Sequence, residues 1–388
     1  MQDRPVIIIG GGIGGLATAL ALALKGIASV LLEQSAEFKE VGAGIQLGPN
    51  VFRRFEALGI RAAIEADAVF PENLIMRDAL TGEVVTRIPM GEQARAHWGM
   101  PYAVTHRADL HNTLLQACLA QQKIVLRNNA KVTAWQDSGD GVTVTLADGE
   151  TIAGGSIVAC DGLWSKLRDE IVNDGKPRVS GHIAYRAVLP ASEVPPGQFE
   201  NNVVLWAGPK THLVHYPLRR GELFNLVAVF HSNRYEEGWN AFGDVEELNE
   251  RFQNQQPQVH NLLGKIESWR MWVLCDREPV ANWTKGRIAL LGDAAHPMLQ
   301  YLAQGACMAI EDAVCLADKL AARRDDPNAA FLAYQQERYL RTARVQVMAR
   351  VYGDFYHATG PVRELRNGLL SGRNQAQAYA GNDWLYGG

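Results

Sequence analysis

Residues 6–24 constrain the fold more than any other segment. They form an almost unbroken run of apolar residues and glycine, long enough to cross a bilayer as one helix. The cluster Gly10-Gly11-Gly12-Ile13-Gly14-Gly15 argues against that, because it would break a membrane helix early. A buried strand, a tight turn and a buried helix fit better. Val6–Ile9 is a short β-branched run, as in parallel strands covered on both faces. Residues 16–24 alternate Ala and Leu, a strong helix former, and Gly26 sits where a C-terminal cap belongs. Ser29–Leu32 reads as a second strand that ends in Glu33.

This order of strand, Gly10-x-Gly12-x-x-Gly15 and helix predicts a dinucleotide-binding unit. Gly10 allows the turn, Gly12 lets backbone amides approach a pyrophosphate, and Gly15 lets the helix pack close to the strand. Gly14 is counted with them at the helix start. The positive end of the helix dipole then faces the phosphates. Glu33, at the tip of the second strand, is placed to accept a ribose hydroxyl. The unit by itself leaves NAD and FAD open, since both use it.

At 388 residues the chain has room for two or three domains at roughly 100–200 residues each. With 38 basic and 42 acidic residues there is no basic excess, so no nucleic-acid partner is expected. The five cysteines are scattered and form no CxxC, which predicts neither a disulfide scaffold nor a metal site. They read as small buried hydrophobes in a reducing cytoplasm. The N-terminus lacks the basic region of a signal peptide, and no membrane span is expected.

Two later segments narrow the choice. A buried strand at residues 154–160 runs into Asp161-Gly162, and a strand at 287–291 runs into Gly292-Asp293. A short carboxylate just past a strand tip suits a ribose or ribityl hydroxyl. Gln304-Gly305 reads as a turn opening an amphipathic helix whose amides face a phosphate or flavin oxygen. Arg107 stands at another helix start.

In these motifs and their order the chain resembles the single-component flavin-dependent aromatic hydroxylases over nearly its whole length. The resemblance implies FAD, with the GxGxxG half and Glu33 on its ADP part, Asp293 on the ribityl chain, and Asp161 serving both FAD and the reduced nicotinamide nucleotide. No second GxGxxG is present, in keeping with a family that has no separate domain for that nucleotide. Segments 41–50, 276–283, 297–306 and Asp383-Trp-Leu-Tyr386 are similar to the branch that hydroxylates 3-hydroxybenzoate para to its hydroxyl with NADH and O₂, giving gentisate. Salicylate and 6-hydroxynicotinate remain alternative substrates. The family also implies a homodimer, and a reduced flavin that adds O₂ to form an electrophilic C4a-hydroperoxide.

The expected fold is α/β: a Rossmann-like FAD-binding domain, an inserted β-sheet substrate domain and a helical tail. The first takes residues 1–75, 98–178 and 286–355, the second 76–97 and 179–285, the tail 356–388. One helix is expected over residues 245–266. The chemistry needs a base near the phenol, a dry pocket and a carboxylate clamp. His212 and Tyr216 are four apart on a predicted strand and share a face, with Thr211 and His215 on the other. His212 is the candidate base, since an ordinary histidine titrates near ~6.5, and Tyr216 the candidate orienting hydroxyl. The resemblance adds Gln300. Gln46, Arg107, Pro297 and Gly305 are candidate flavin contacts, and His296 reads as structural. Arg186 and Arg219 are both open as the clamp.

Overall fold

The computed structural model describes residues 4–40, 42–232 and 242–387. Strand Val6–Ile9 pairs in parallel with Ser29–Leu32 on one side and Ser156–Ala159 on the other. Ile124–Arg127 extends the sheet at one edge, and Ile288–Leu290 with Thr284–Lys285 at the other. Helix Ile13–Leu24 follows the first strand directly and is buried along most of its length. That close contact requires Gly15, where a Cβ would lie 1.9 Å from the Gly10 carbonyl oxygen. Gly10 itself turns the chain at φ +106°, a conformation open to glycine. The helix has no side-chain N-cap, so its first amides remain available to a ligand.

A seven-stranded sheet stands beside this layer. Its order is Arg270–Asp276, Arg178–Pro190, Leu223–His231, Thr211–Leu218, Asn202–Gly208, Asn73–Asp78, Val84–Pro89. Only Asn202–Gly208 and Asn73–Asp78 run parallel; the other pairs are antiparallel. One face packs on a core that includes Phe224, Phe230, Phe252 and Trp269. The expected helix over 245–266 is instead two, Val245–Phe252 and Pro257–Leu263. Pro257 has no N–H to continue the first helix and holds Gln256 extended, so the chain restarts there. A two-stranded ribbon, Gly44–Leu47 with Ala103–His106, bridges toward this sheet.

Helices Gly305–Ala322 and Pro327–Tyr356 are joined by a buried charge network. Arg338 donates to Glu311 and Asp312 at 2.6 and 2.7 Å, and Arg341 adds two bonds to Glu311. Asp312 also accepts from the Gly292 amide and meets His296 Nε2 at 2.5 Å. Arg338 and its neighbours hold both carboxyls down near about 2 despite burial.

The tail continues as Gly360–Ser371, Gln375–Ala380 and Asp383–Tyr386. Asp78, fully buried at the end of its strand, fastens it. Its carboxylate accepts from Arg363 at 2.7 Å twice, from Asn367 at 2.7 Å and from Arg366 at 3.4 Å. Asp78→Ala strands two guanidinium groups, one of them buried, and should cost about 3–5 kcal/mol of stability. Denaturant titration should show the midpoint fall, and limited proteolysis should cut first between residues 356 and 375.

Candidate functional site

A cavity of about 1120 Å³ lies between the parallel sheet and the seven-stranded sheet. Its nucleotide end is walled by Gly10, Gly12, Gly14, Glu33, Asp161 and Asp293. Gly15 is the one glycine of the motif that falls outside the wall; it is a packing residue rather than a contact. Glu33 accepts from the Gly11 amide at 2.7 Å and the Ser35 amide at 2.8 Å, which fixes its carboxylate at the strand tip. Asp161 is half-buried and Asp293 opens onto the cavity, and desolvation raises both carboxyls. Asp161 Oδ1 has no hydrogen-bond partner, although Oδ2 takes the Lys166 amide. An orphan acceptor facing a cavity calls for a hydroxyl donor.

The turn carrying Asp293 is clamped from two sides. Asp312 takes the Gly292 amide, and buried Arg168 donates to the Ala294 and Ala295 carbonyls at 3.0 and 2.5 Å. His296 serves this clamp rather than the cavity, as the sequence suggested. Arg107 is held by Glu40 at 2.9 and 3.1 Å, and burial is outweighed by that pairing and by Asp293, so its cation is strengthened. Pro297 and Gly305 complete this side.

At the other end His212 and Tyr216 both reach the cavity wall from one strand, with Gln300, Gln46 and Arg186. Thr211 and His215 face away: Thr211 meets Gln255 at 2.6 Å, and His215 takes the Trp206 indole N–H at 3.1 Å. Gly44 lets the ribbon lie against Tyr216, since a Cβ there would stand 2.5 Å from the Tyr216 ring. Its amide donates at 2.7 Å to Asn225, the cross-strand neighbour of Tyr216. Gln46 bonds Tyr216 and accepts from Tyr102. Burial pushes the Tyr216 phenol up, so it stays a neutral donor.

The two arginines left open by the sequence separate here. Arg219 is half-exposed and bonded to Asp109 at 2.8 Å. Arg186 is in the wall, stacked 4.9 Å over Trp272 and donating to Gln300. Its Nε has no partner, and among the described residues no carboxylate pairs with it. Burial lowers it to about 10. A cation so placed is uncompensated, and an anionic ligand relieves it.

His212 departs from its expected ordinary titration. Burial, and then His182, lower it to about 3. Its Nδ1 is 2.7 Å from His357 Nε2. The tail closes this end: Tyr386 lines the cavity beside Trp98, and Asp383 accepts from the Trp98 indole at 2.9 Å. His357, Tyr102 and Glu40 carry no sequence signal of their own. Val41, at the head of the ribbon segment, lies outside the described residues. No helix among the described residues is long and apolar enough to cross a membrane.

Residues 3–349 match the family described as FAD binding domain. The chain is 46% identical over 381 residues to 3-hydroxybenzoate 6-hydroxylase of Klebsiella oxytoca, covering 98% of this chain and 96% of that one. It is 44% identical over 383 residues to 3-hydroxybenzoate 6-hydroxylase 1 of Aquipseudomonas alcaligenes, covering 98% and 97%. Among solved structures, HpxO of Klebsiella pneumoniae complexed with FAD and uric acid superposes with a TM-score of 0.87 at 25% identity, covering 99% of this chain and 97% of that one. The chain therefore belongs to the FAD-binding-domain family and is a flavin-dependent aromatic hydroxylase.

Asp293→Ala should yield protein that folds but loses flavin on gel filtration, read from the ratio of visible to ultraviolet absorbance. Retention of stoichiometric flavin would remove Asp293 from the binding set. A second expectation concerns pH. Burial holds His212 and His215 at about 3 and His182 at about 4, below the unfolded ~6.5. The unfolded chain therefore binds protons first, and stability falls as pH drops from 6.5 toward 4.5, by about 1.4 kcal/mol per pH unit for each such group. The carboxylates held near about 2, Asp78, Glu311 and Asp312, act only below that window. His215→Gln keeps an acceptor for Trp206 and should flatten the slope by about one proton. A flat wild-type profile from 6.5 to 4.5 would contradict the argument.

Proposed function

We propose that this hydroxylase converts 3-hydroxybenzoate to gentisate with NADH and O₂. The observation that carries this is Arg186, a half-buried cation that has a covered, unpartnered Nε and no carboxylate partner among the described residues, in the same wall as His212, Tyr216 and Gln300. The names of the two curated relatives support the substrate.

Glu33, Asp161 and Asp293 would hold hydroxyls of the cofactor, and the open helix start at Gly12 would receive its pyrophosphate. When bound, FAD reduced by NADH supplies the activated oxygen. The protein's share is position and charge. Arg186 takes the substrate carboxylate, with Gln300 fixing the guanidinium plane. Tyr216, neutral because it is buried, donates to the ring oxygen. His212 Nδ1 is engaged with His357, which leaves Nε2 to receive the phenolic proton. Its low basicity keeps it unprotonated at working pH, and the phenolate formed beside it stabilises the imidazolium. Electron density then rises at the ring carbons ortho and para to that oxygen. Attack at the para carbon gives the 2,5-dihydroxy product.

The purified yellow protein should oxidise NADH fast with 3-hydroxybenzoate, release little peroxide and form gentisate by chromatography. Salicylate and 6-hydroxynicotinate should not couple. If 3-hydroxybenzoate only stimulates NADH loss with peroxide released, it is an effector and the substrate assignment falls. Arg186→Met should raise KM about 10- to 100-fold, the range of ~1.5–3 kcal/mol for a charged hydrogen bond. His212→Ala should slow hydroxylation more than it weakens flavin binding; normal coupled turnover would end the base assignment.

A further inference from the structure

His182 and His231 face each other across neighbouring antiparallel strands, in direct register. Their rings stack at 4.2 Å between centroids. His357, which ends helix Pro327–Tyr356, closes over them, with centroids 5.1 and 5.0 Å away. One ligand nitrogen from each ring lies within 4.8 Å of the other two. His231 Nε2 stands 3.0 Å from His357 Nδ1. Tetrahedral bonds of ~2.0–2.1 Å place two imidazole nitrogens roughly 3.3 Å apart, so binding draws the rings together by up to about 1.5 Å. We propose that His182, His231 and His357 bind a borderline transition-metal ion of the zinc class.

Three neutral imidazoles suit zinc, copper or nickel, and not the oxygen-seeking magnesium or calcium. His182 and His231 are half-buried, which gives an ion access from solvent, while His357 is buried. The charged groups facing the cluster are Lys210, Asp354 and Arg251 beside His231 and Arg366 beside His357, so Asp354 alone favours a cation there and ligation must outweigh the other three. An outer contact orients the buried ligand, as metal-bound histidines require: His357 Nε2 is 2.7 Å from His212 Nδ1. Tyr301 Oη stands 2.5 Å from His182 Nδ1 and helps fix that ring.

Occupancy has a chemical consequence that rests on the reading of His212 given above. Metal on His357 Nδ1 leaves the His357 proton on Nε2, donated to His212 Nδ1. The neutral His212 then carries its own proton on Nε2 and cannot accept one there. Zinc therefore slows hydroxylation without displacing flavin.

The test is equilibrium dialysis of the flavin-loaded enzyme against zinc chloride, with metal and flavin counted per chain. One zinc per chain is expected, and an excess of magnesium should not displace it. His231→Ala, His231→Gln and His182→Ala should each weaken binding at least about tenfold with flavin content unchanged. His97→Ala, at the surface, should not. No uptake by the wild type, or equal uptake by the His231 variants, overturns the proposal. Stoichiometric zinc with undiminished hydroxylation leaves the site standing and removes His212 as the base.

Discussion

Glu311 and Asp312 bring two negative charges into the core near the start of one helix, and Arg338 and Arg341 meet them from the next. Such a network adds little to stability, because desolvation consumes most of the attraction. What it supplies is position. Asp312 holds the Gly292 amide and His296, so the turn presenting Asp293 cannot drift from the helix that presents Gly305. Glu311 holds Asn50 at 2.7 Å, and Asn50 holds Gln304 at 3.0 Å, which locks the helix start against the segment after the Gly44–Leu47 ribbon. Two walls of the cavity are thus referred to one pair of carboxylates.

The nucleotide end was legible in the sequence because its signals are local. Strand, glycines, helix and Glu33 follow one another within one unit, and each residue acts on near neighbours. The shared face of His212 and Tyr216 was equally legible, since strand alternation alone decides it. The choice between Arg186 and Arg219 was not. Both sit among strand residues, and only the packing shows that Asp109 neutralises one while the other is enclosed without a counter-charge. His357 was hidden for the same reason: more than a hundred residues separate it from His212 and His231. The break at Pro257 was readable, and its omission joined two helices into one.

Electrostatics divides the cavity into two regimes. At the nucleotide end, carboxyls raised by desolvation wait for hydroxyl donors. At the ring end, a half-buried guanidinium without a counter-charge waits for an anion, among side chains that burial holds neutral. A ligand with hydroxyls at one end and an aromatic acid at the other satisfies both, and neither end suits the other's occupant.

The closing contact of residues 383–386 bears on biosynthesis. Asp383 and Tyr386 seal the ring end against Trp98, nearly three hundred residues earlier in the chain. On the ribosome the nucleotide half has its first strands, turn and helix long before these residues emerge. The wall at the ring end is therefore made well after those first elements. A chain stopped short of residue 383 holds the first half of the nucleotide cradle without the contact that closes the ring end.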